Sequence, residues 1–202
     1  VSGIHQMLIY AKGTHVIITW PPSGTSGLTT VNGIHGINLG TGNLQVTNNA
    51  GGSAYTYVTA MSAAIGDCTI EADGFVTDAA RVVGLIGRST FTATNQDNGY
   101  RYDVAQFGTP GLRLFRADAT VLTSLTASVP ISGYYTIAGN PITHHMKFLG
   151  SSISAWMSAV GQSDTATISA IDGTYGTGRV AMLSFLGGGG GINEWTALRV
   201  AF

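Results

Sequence analysis

The chain has 202 residues, a net charge of −1 and only 9% charged residues, against roughly 25% in an average soluble domain. So weak a field excludes long-range capture of nucleic acid or of an anionic membrane. A single cysteine, Cys68, excludes an internal disulfide, and no apolar run approaches the ~18 residues of a membrane-spanning helix.

Short β-branched and aromatic runs recur along the chain, punctuated by Gly, Asn, Ser and Pro, and helical periodicity is almost absent. This pattern predicts an all-β sandwich or barrel. The chain begins "VSGIHQML", without the features of a signal peptide, and with Val in place of Met it is expected to be processed, trimmed or cut from something longer. The first predicted strand is "VIITW", Val16 to Trp20, stopped by Pro21 and Pro22. Residues 1–22 are expected to form an N-terminal arm that adds an edge strand or reaches a neighbour, and residues 23–202 the sandwich domain.

From Leu28 the strands come regularly: "LTTVNGIHGIN", "NLQVTN", "AYTYVTAM", "CTIEADGFV", "RVVGLIGRSTF", "GYRYDVAQF" and "GLRLFRA". After Pro130 follow "YYTIA", "HHMKFLG", "SISAWMS", "RVAMLSF" and "EWTALRVAF". About a dozen short strands at this spacing fit two packed antiparallel sheets. "LGGGGGI", Leu186 to Ile192, is expected to be a mobile loop, since five glycines carry a large ordering entropy.

"GYRYDVAQFGTPGLRLFRAD" concentrates three of the nine basic residues among aromatics. With Gly108 to Gly111 as a four-residue hairpin loop, Asp103 faces Arg116 and Arg101 faces Asp118, while Tyr102, Val104 and Phe115 point to the core. Arginines paired in this way serve strand register and leave no free cations for phosphate.

Several segments then resemble a known superfamily. "GDCTIEAD", "VVGLIGRS", "DNGYRYDV", "GLRLFR", "MKFLGSSISAWM" and "DGTYGTGRVAML" are similar, in kind and order, to the concanavalin A-like lectin/glucanase superfamily in its laminin-G-like branch. The match covers about residues 28 to 202, with Ala181 where the family usually has Gly. The resemblance implies a jelly-roll sandwich. It implies roles among glycan binding, protein adhesion, polysaccharide cleavage and decoration of viral particles.

The residues discriminate among these roles unevenly. Glu71 and Asp73 share a strand face about 7 Å apart and could act as the two acids of glycoside hydrolysis. The third acid of the related glucanases is missing, so the chain is expected not to be an enzyme, and a polysaccharide-degrading enzyme using Glu71 and Asp73 is the weakest of three readings. The resemblance also implies that calcium is possible, since some laminin-G-like domains bind it, and its candidate ligands are Asp97, Asp164 and Asp172. Turn formation is the favoured role of all three, and no cofactor is expected. None of His5, His15, His35, His144 and His145 has a partner at metal-ligand spacing, and adjacent His144 and His145 must point to opposite faces. Cys68 is expected to be a buried thiol.

In "SISAWMS", Ile153, Ala155 and Met157 fall on one face and Ser154, Trp156 and Ser158 on the other. Trp156 is the candidate for a sugar-stacking or partner surface, with Tyr134 and Tyr135 as an additional aromatic rim. The leading expectation is a structural or adhesion protein, homo-oligomeric or lattice-bound, displayed on the surface of a virus or phage particle with other subunits as partners. The alternative is an extracellular module that binds cell-surface glycan. Neither reading involves nucleic acid or a membrane.

Overall fold

The structure, a computed structural model, describes residues 15–19, 28–39, 41–48, 53–58, 64–76, 81–92, 96–105, 110–131, 133–137, 139–186 and 193–202. In chain order its strands are β1 (His15–Thr19), β2 (Leu28–Val31), β3 (Gly33–Ile37), β4 (Leu44–Asn48), β5 (Ser53–Val58), β6 (Cys68–Val76), β7 (Arg81–Phe91) and β8 (Gln96–Ala105). Then come β9 (Gly111–Asp118), β10 (Val121–Ser124), β11 (Val129–Pro130), β12 (Ile142–Leu149), β13 (Ser152–Ser158), β14 (Ile168–Ile171), β15 (Arg179–Leu186) and β16 (Asn193–Ala201).

They form two antiparallel sheets. Sheet I runs β14-β13-β12-β6-β16-β4-β3, with β1 also on β16, and sheet II runs β10-β9-β8-β7-β15-β5-β2, with β11 on β9. Alternation along each strand explains the layering. In β13, Ile153, Ala155 and Met157 are buried while Ser154, Trp156 and Ser158 face outward. The main core lies between the sheets and gathers Ile70, Leu85, Tyr100, Tyr102, Leu112, Leu114, Met146, Phe148 and Trp195. The Trp195 indole Nε1 donates to Ser184 Oγ at 3.2 Å, which satisfies its one polar atom inside that core. Asn32, with φ 54, turns the chain from β2 of sheet II to β3 of sheet I.

Within the expected arm, β1 pairs with β16 of its own chain from His15↔Ala201 to Thr19↔Ala197. The rest of that arm, Trp20 included, and the Gly187–Ile192 stretch lie outside the described residues.

Two sequence expectations are corrected. The β8–β9 register places Asp103 opposite Arg113, Tyr102 opposite Leu114 and Arg101 opposite Phe115, so Asp103 does not face Arg116 nor Arg101 Asp118. The expected register would have turned Leu112 and Leu114 outward to bury Phe115. Burying two leucines at roughly 1.5–3 kcal/mol each outweighs burying one phenylalanine, and both leucines are fully buried. Tyr102 and Val104 do enter the core, whereas Phe115 sits on the outer face with the Arg113 guanidinium 5.4 Å from its ring centre. The second correction concerns "YYTIA". Gly133–Thr136 is a 3-10 turn, not a strand, closed by Thr136 Oγ1 donating to the Gly133 carbonyl at 2.8 Å.

Candidate functional site

The outer face of sheet I carries a polar ladder built by pairing across four strands. Trp156 of β13 pairs with His145 of β12, His145 with Glu71 of β6, and Glu71 with Arg199 of β16. One row over, Ser158 pairs with Thr143 and Thr143 with Asp73. The Trp156 and His145 rings stack at 4.7 Å and 3°, so one face of Trp156 is covered by the imidazole. His145 Nε2 lies 2.6 Å from Ser158 Oγ, and burial lowers the ring's pKa, only partly opposed by Glu71 and Asp164. His144 points the other way, into the core, between Trp195 and Tyr102. Burial there pushes it down to about 3.

Glu71 and Asp73 share the outer face, as their spacing requires, but Arg199 bridges them. Its Nε donates to Glu71 Oε2 at 3.0 Å, and its two Nη atoms donate to Asp73 at 2.6 and 2.7 Å. Burial opposes ionisation of Asp73, yet Arg199 and Thr143 outweigh it and hold the carboxyl below its usual range. A general acid for glycoside cleavage needs the opposite shift.

Tyr134 and Tyr135 lie in the 3-10 turn with rings edge-to-face at 6.0 Å. Tyr135 is buried in the main core and its hydroxyl donates to the Ser163 carbonyl at 2.9 Å, which anchors the loop after β13. Tyr134 is half-buried. Between this turn and the loop lies a cleft of about 340 Å³, lined by Pro130, Tyr134, Tyr135, Gln162, Ser163 and Asp164. Gln162, Ser163 and Asp164 are exposed, and the Asp164 charge acts on both Tyr135 and His145. Asp164 thus links the cleft to the Trp156 ladder.

The other calcium candidates divide. Asp172 accepts from the Tyr100 hydroxyl, Arg116 and the Thr174 backbone. Burial opposes its ionisation, but these donors hold it down to about 2. The Asp97 side chain is outside the described residues. Among the described residues no group of three His, Cys, Asp or Glu is placed to hold a metal ion. The three arginines of the β8–β9 hairpin all meet carboxylates: Arg101 and Arg113 meet Asp103, and Arg116 meets Asp118 and Asp172.

Two features were not anticipated from sequence. One is the His145 partnership of Trp156. The other is an aromatic shelf on the outer face of sheet II, where Phe91 stacks on Tyr57 at 5.2 Å and meets Tyr55 at 5.7 Å, with the Arg179 guanidinium 5.0 Å from the Tyr57 ring centre. The alternation in "AYTYV" signals that Tyr55 and Tyr57 share a face; Phe91 joins them only through strand pairing.

No protein-family model and no curated protein sequence matches the chain. Solved structures do. The carbohydrate-binding module CBM66 from Bacillus subtilis aligns with a TM-score of 0.66 at 18% identity, over 87% of this chain and 96% of that one. The lectin UEA-II, complexed with galactose, gives a TM-score of 0.68 at 8% identity, over 93% and 97%. The exoplasmic/lumenal domain of VIP36 in a Ca2+/Man-bound form gives 0.66 at 9% identity, over 92% and 88%. Identities this low speak to architecture alone. The two antiparallel sheets, their order and these likenesses together establish that the chain has the concanavalin A-like lectin fold.

Proposed function

We propose that the chain is a glycan-binding module that works by presenting a surface and does not cleave sugars. The observation that carries this reading is the cleft between the 3-10 turn and the loop after β13. There the half-buried Tyr134 ring stands beside the exposed amide of Gln162, hydroxyl of Ser163 and carboxylate of Asp164. An apolar ring face with a few convergent polar groups suits a sugar, whose C–H face stacks on the ring while its hydroxyls meet the amide and carboxylate. Trp156, with one ring face on His145, extends the surface. Likeness to a carbohydrate-binding module, to a lectin complexed with galactose and to the Ca2+/Man-bound domain of VIP36 supports the same reading, and the module is read as extracellular. A glycan microarray probed with the full chain tests it. Binding to at least one glycan family is expected, weakened at least roughly tenfold, or 1.4 kcal/mol, by Tyr134→Ala and by Asp164→Asn. A parent chain that retains no glycan removes the reading.

Display on a virus or phage particle is the second reading. It draws on the low charge and on one apolar step across sheet I, where Leu149 and Ile171, 62% and 86% exposed, flank Ser152 on the outer face. Light scattering behind size-exclusion chromatography tests it: a monomer unaltered by Leu149→Ser counts against a subunit contact there. The lectin likenesses favour the glycan reading over this one.

A further inference from the structure

Three side chains on the outer face of sheet I stand in the order nucleophile, base, carboxylate. Ser158 Oγ lies 2.6 Å from His145 Nε2, and His145 Nδ1 lies 3.3 Å from Glu71 Oε1. We propose that Ser158 is an activated nucleophile that accepts the acyl group of a small carboxylic ester, with His145 as its base and Glu71 as the positioning residue. This goes beyond glycan binding and stands independently of it.

The tautomer follows from the neighbours. Nδ1, beside a carboxylate, keeps its proton, which leaves the Nε2 lone pair to accept the Ser158 hydroxyl proton. The Nδ1–Glu71 contact falls outside hydrogen-bonding geometry, a looseness that catalytic contacts often show before substrate binds. Each oxygen of Glu71 has one duty: Oε1 faces His145 and Oε2 accepts from Arg199 Nε. Stacking on Trp156 fixes the ring plane. Burial favours the neutral imidazole, the form a general base requires.

Room for the acyl group lies alongside. A cleft of about 330 Å³ is lined by Phe75, Ile142, Val160, Ala159, Thr143 and Asp73. Thr143 is the cross-strand partner of Ser158, and Ala159 is its neighbour in sequence. The apolar part of this lining suits a short acyl chain.

The chemistry balances without an oxidant or reductant. Ser158 Oγ bonds to the ester carbonyl carbon as its proton passes to His145 Nε2. The tetrahedral intermediate collapses, the C–O bond to the alcohol breaks, and the leaving oxygen takes the proton from Nε2. Water then attacks the acyl-serine, gives a proton to Nε2, and that proton returns to Ser158 Oγ as the carboxylic acid leaves.

The test is a fluorophosphonate probe on the full chain, read by peptide mass mapping, with p-nitrophenyl butyrate hydrolysis in parallel. The expected result is one adduct, on Ser158, absent in Ser158→Ala and formed on the order of 100-fold more slowly in His145→Gln. The labelling rate should rise with pH to a plateau, with its midpoint below the ordinary histidine value. That midpoint is set by Glu71, Asp73, Asp164 and Arg199 around the ring, with Lys147 and His144 on the same strand. Glu71→Gln should lower that midpoint, as loss of any neighbouring carboxylate would, and should also lower the plateau rate, which loss of a merely neighbouring charge would not do. A wild-type chain without an adduct on Ser158, or labelling as fast in folded His145→Gln as in wild type, overturns the proposal.

Discussion

Gly178 packs directly on the peptide that joins Arg88 to Ser89, so closely that a Cβ there would overlap it. Gly178 also exchanges two backbone hydrogen bonds with Ile65, each 3.0 Å. Arg88 itself, at φ 48 and buried, donates to the carbonyls of Gly66, Gly150 and Tyr175 and to Asp67, with its guanidinium 4.8 Å from the Phe148 ring centre. Four of the six segments that resemble the lectin superfamily therefore converge on one residue. "GD" supplies Asp67, "LIGRS" Arg88, "FLGS" Gly150 and "TYGTGRV" Tyr175 and Gly178. Removing the guanidinium leaves the carbonyls of Gly66, Gly150 and Tyr175 without this donor, while the exposed Asp67 carboxylate keeps the Gly150 amide and water. Arg88→Met is expected to cost about 1–3 kcal/mol through its unsatisfied carbonyls, and Gly178→Ala about as much through steric overlap. Urea unfolding of each variant measures both.

The β8–β9 register makes a prediction that its sequence-derived alternative reverses. Leu114 is fully buried opposite Tyr102, whereas Phe115 is half-buried on the outer face. Leu114→Ala should destabilise by about 3 kcal/mol and Phe115→Ala by about 1 kcal/mol. Equilibrium unfolding that ranks the two the other way would contradict the register.

Acid should weaken the fold in two stages. His144 titrates near 6.5 when unfolded but is pushed down to about 3 by burial when folded. The unfolded chain therefore binds the extra proton first, and stability falls as pH drops from 6.5 towards 3. At ~1.4 kcal/mol per pH unit at most, the loss by pH 4 is about 3 kcal/mol. Asp172, held down to about 2 in the fold, adds a loss that begins near pH 4 and ends below pH 2. Glu194 acts in the same sense. Burial opposes its ionisation, but the amides of Gln45, Asn43 and Asn38 and the Thr41 hydroxyl hold it below its usual range. Unfolding free energies at pH 7, 5.5 and 4 should fall in that order, and His144→Phe should flatten the upper part of the slope.

The lone thiol is predicted to be silent in the folded chain. Burial pushes Cys68 up to about 12, with only partial relief from Arg88, and the thiolate is the reactive form. Ellman's reagent should react no faster than the chain unfolds, and at once in denaturant.

What was legible in the sequence was local. Alternation placed Ile153, Ala155 and Met157 inward and Trp156 outward, and sent His144 and His145 to opposite faces, because successive strand residues must diverge. What was hidden was pairing across distance. Trp156, His145, Glu71 and Arg199 meet because β13, β12, β6 and β16 are neighbours, an order that no single strand encodes. Register is hidden for a related reason: turn chemistry at Gly108 to Gly111 favours one pairing and the burial of Leu112 and Leu114 another, and burial decides. The Tyr134–Tyr135 turn reads as a strand because its aromatic, β-branched composition mimics one, although Gly133, at φ 61, starts a 3-10 turn there.

The most direct test of the central claim is an amide 1H–15N titration of the full chain with the oligosaccharide best retained on the array. The account predicts that chemical-shift changes concentrate at Tyr134, Tyr135 and Gln162 to Thr165, and extend to Trp156. Shifts confined to the Tyr55, Tyr57 and Phe91 shelf of sheet II, or no shifts with any retained sugar, would contradict it.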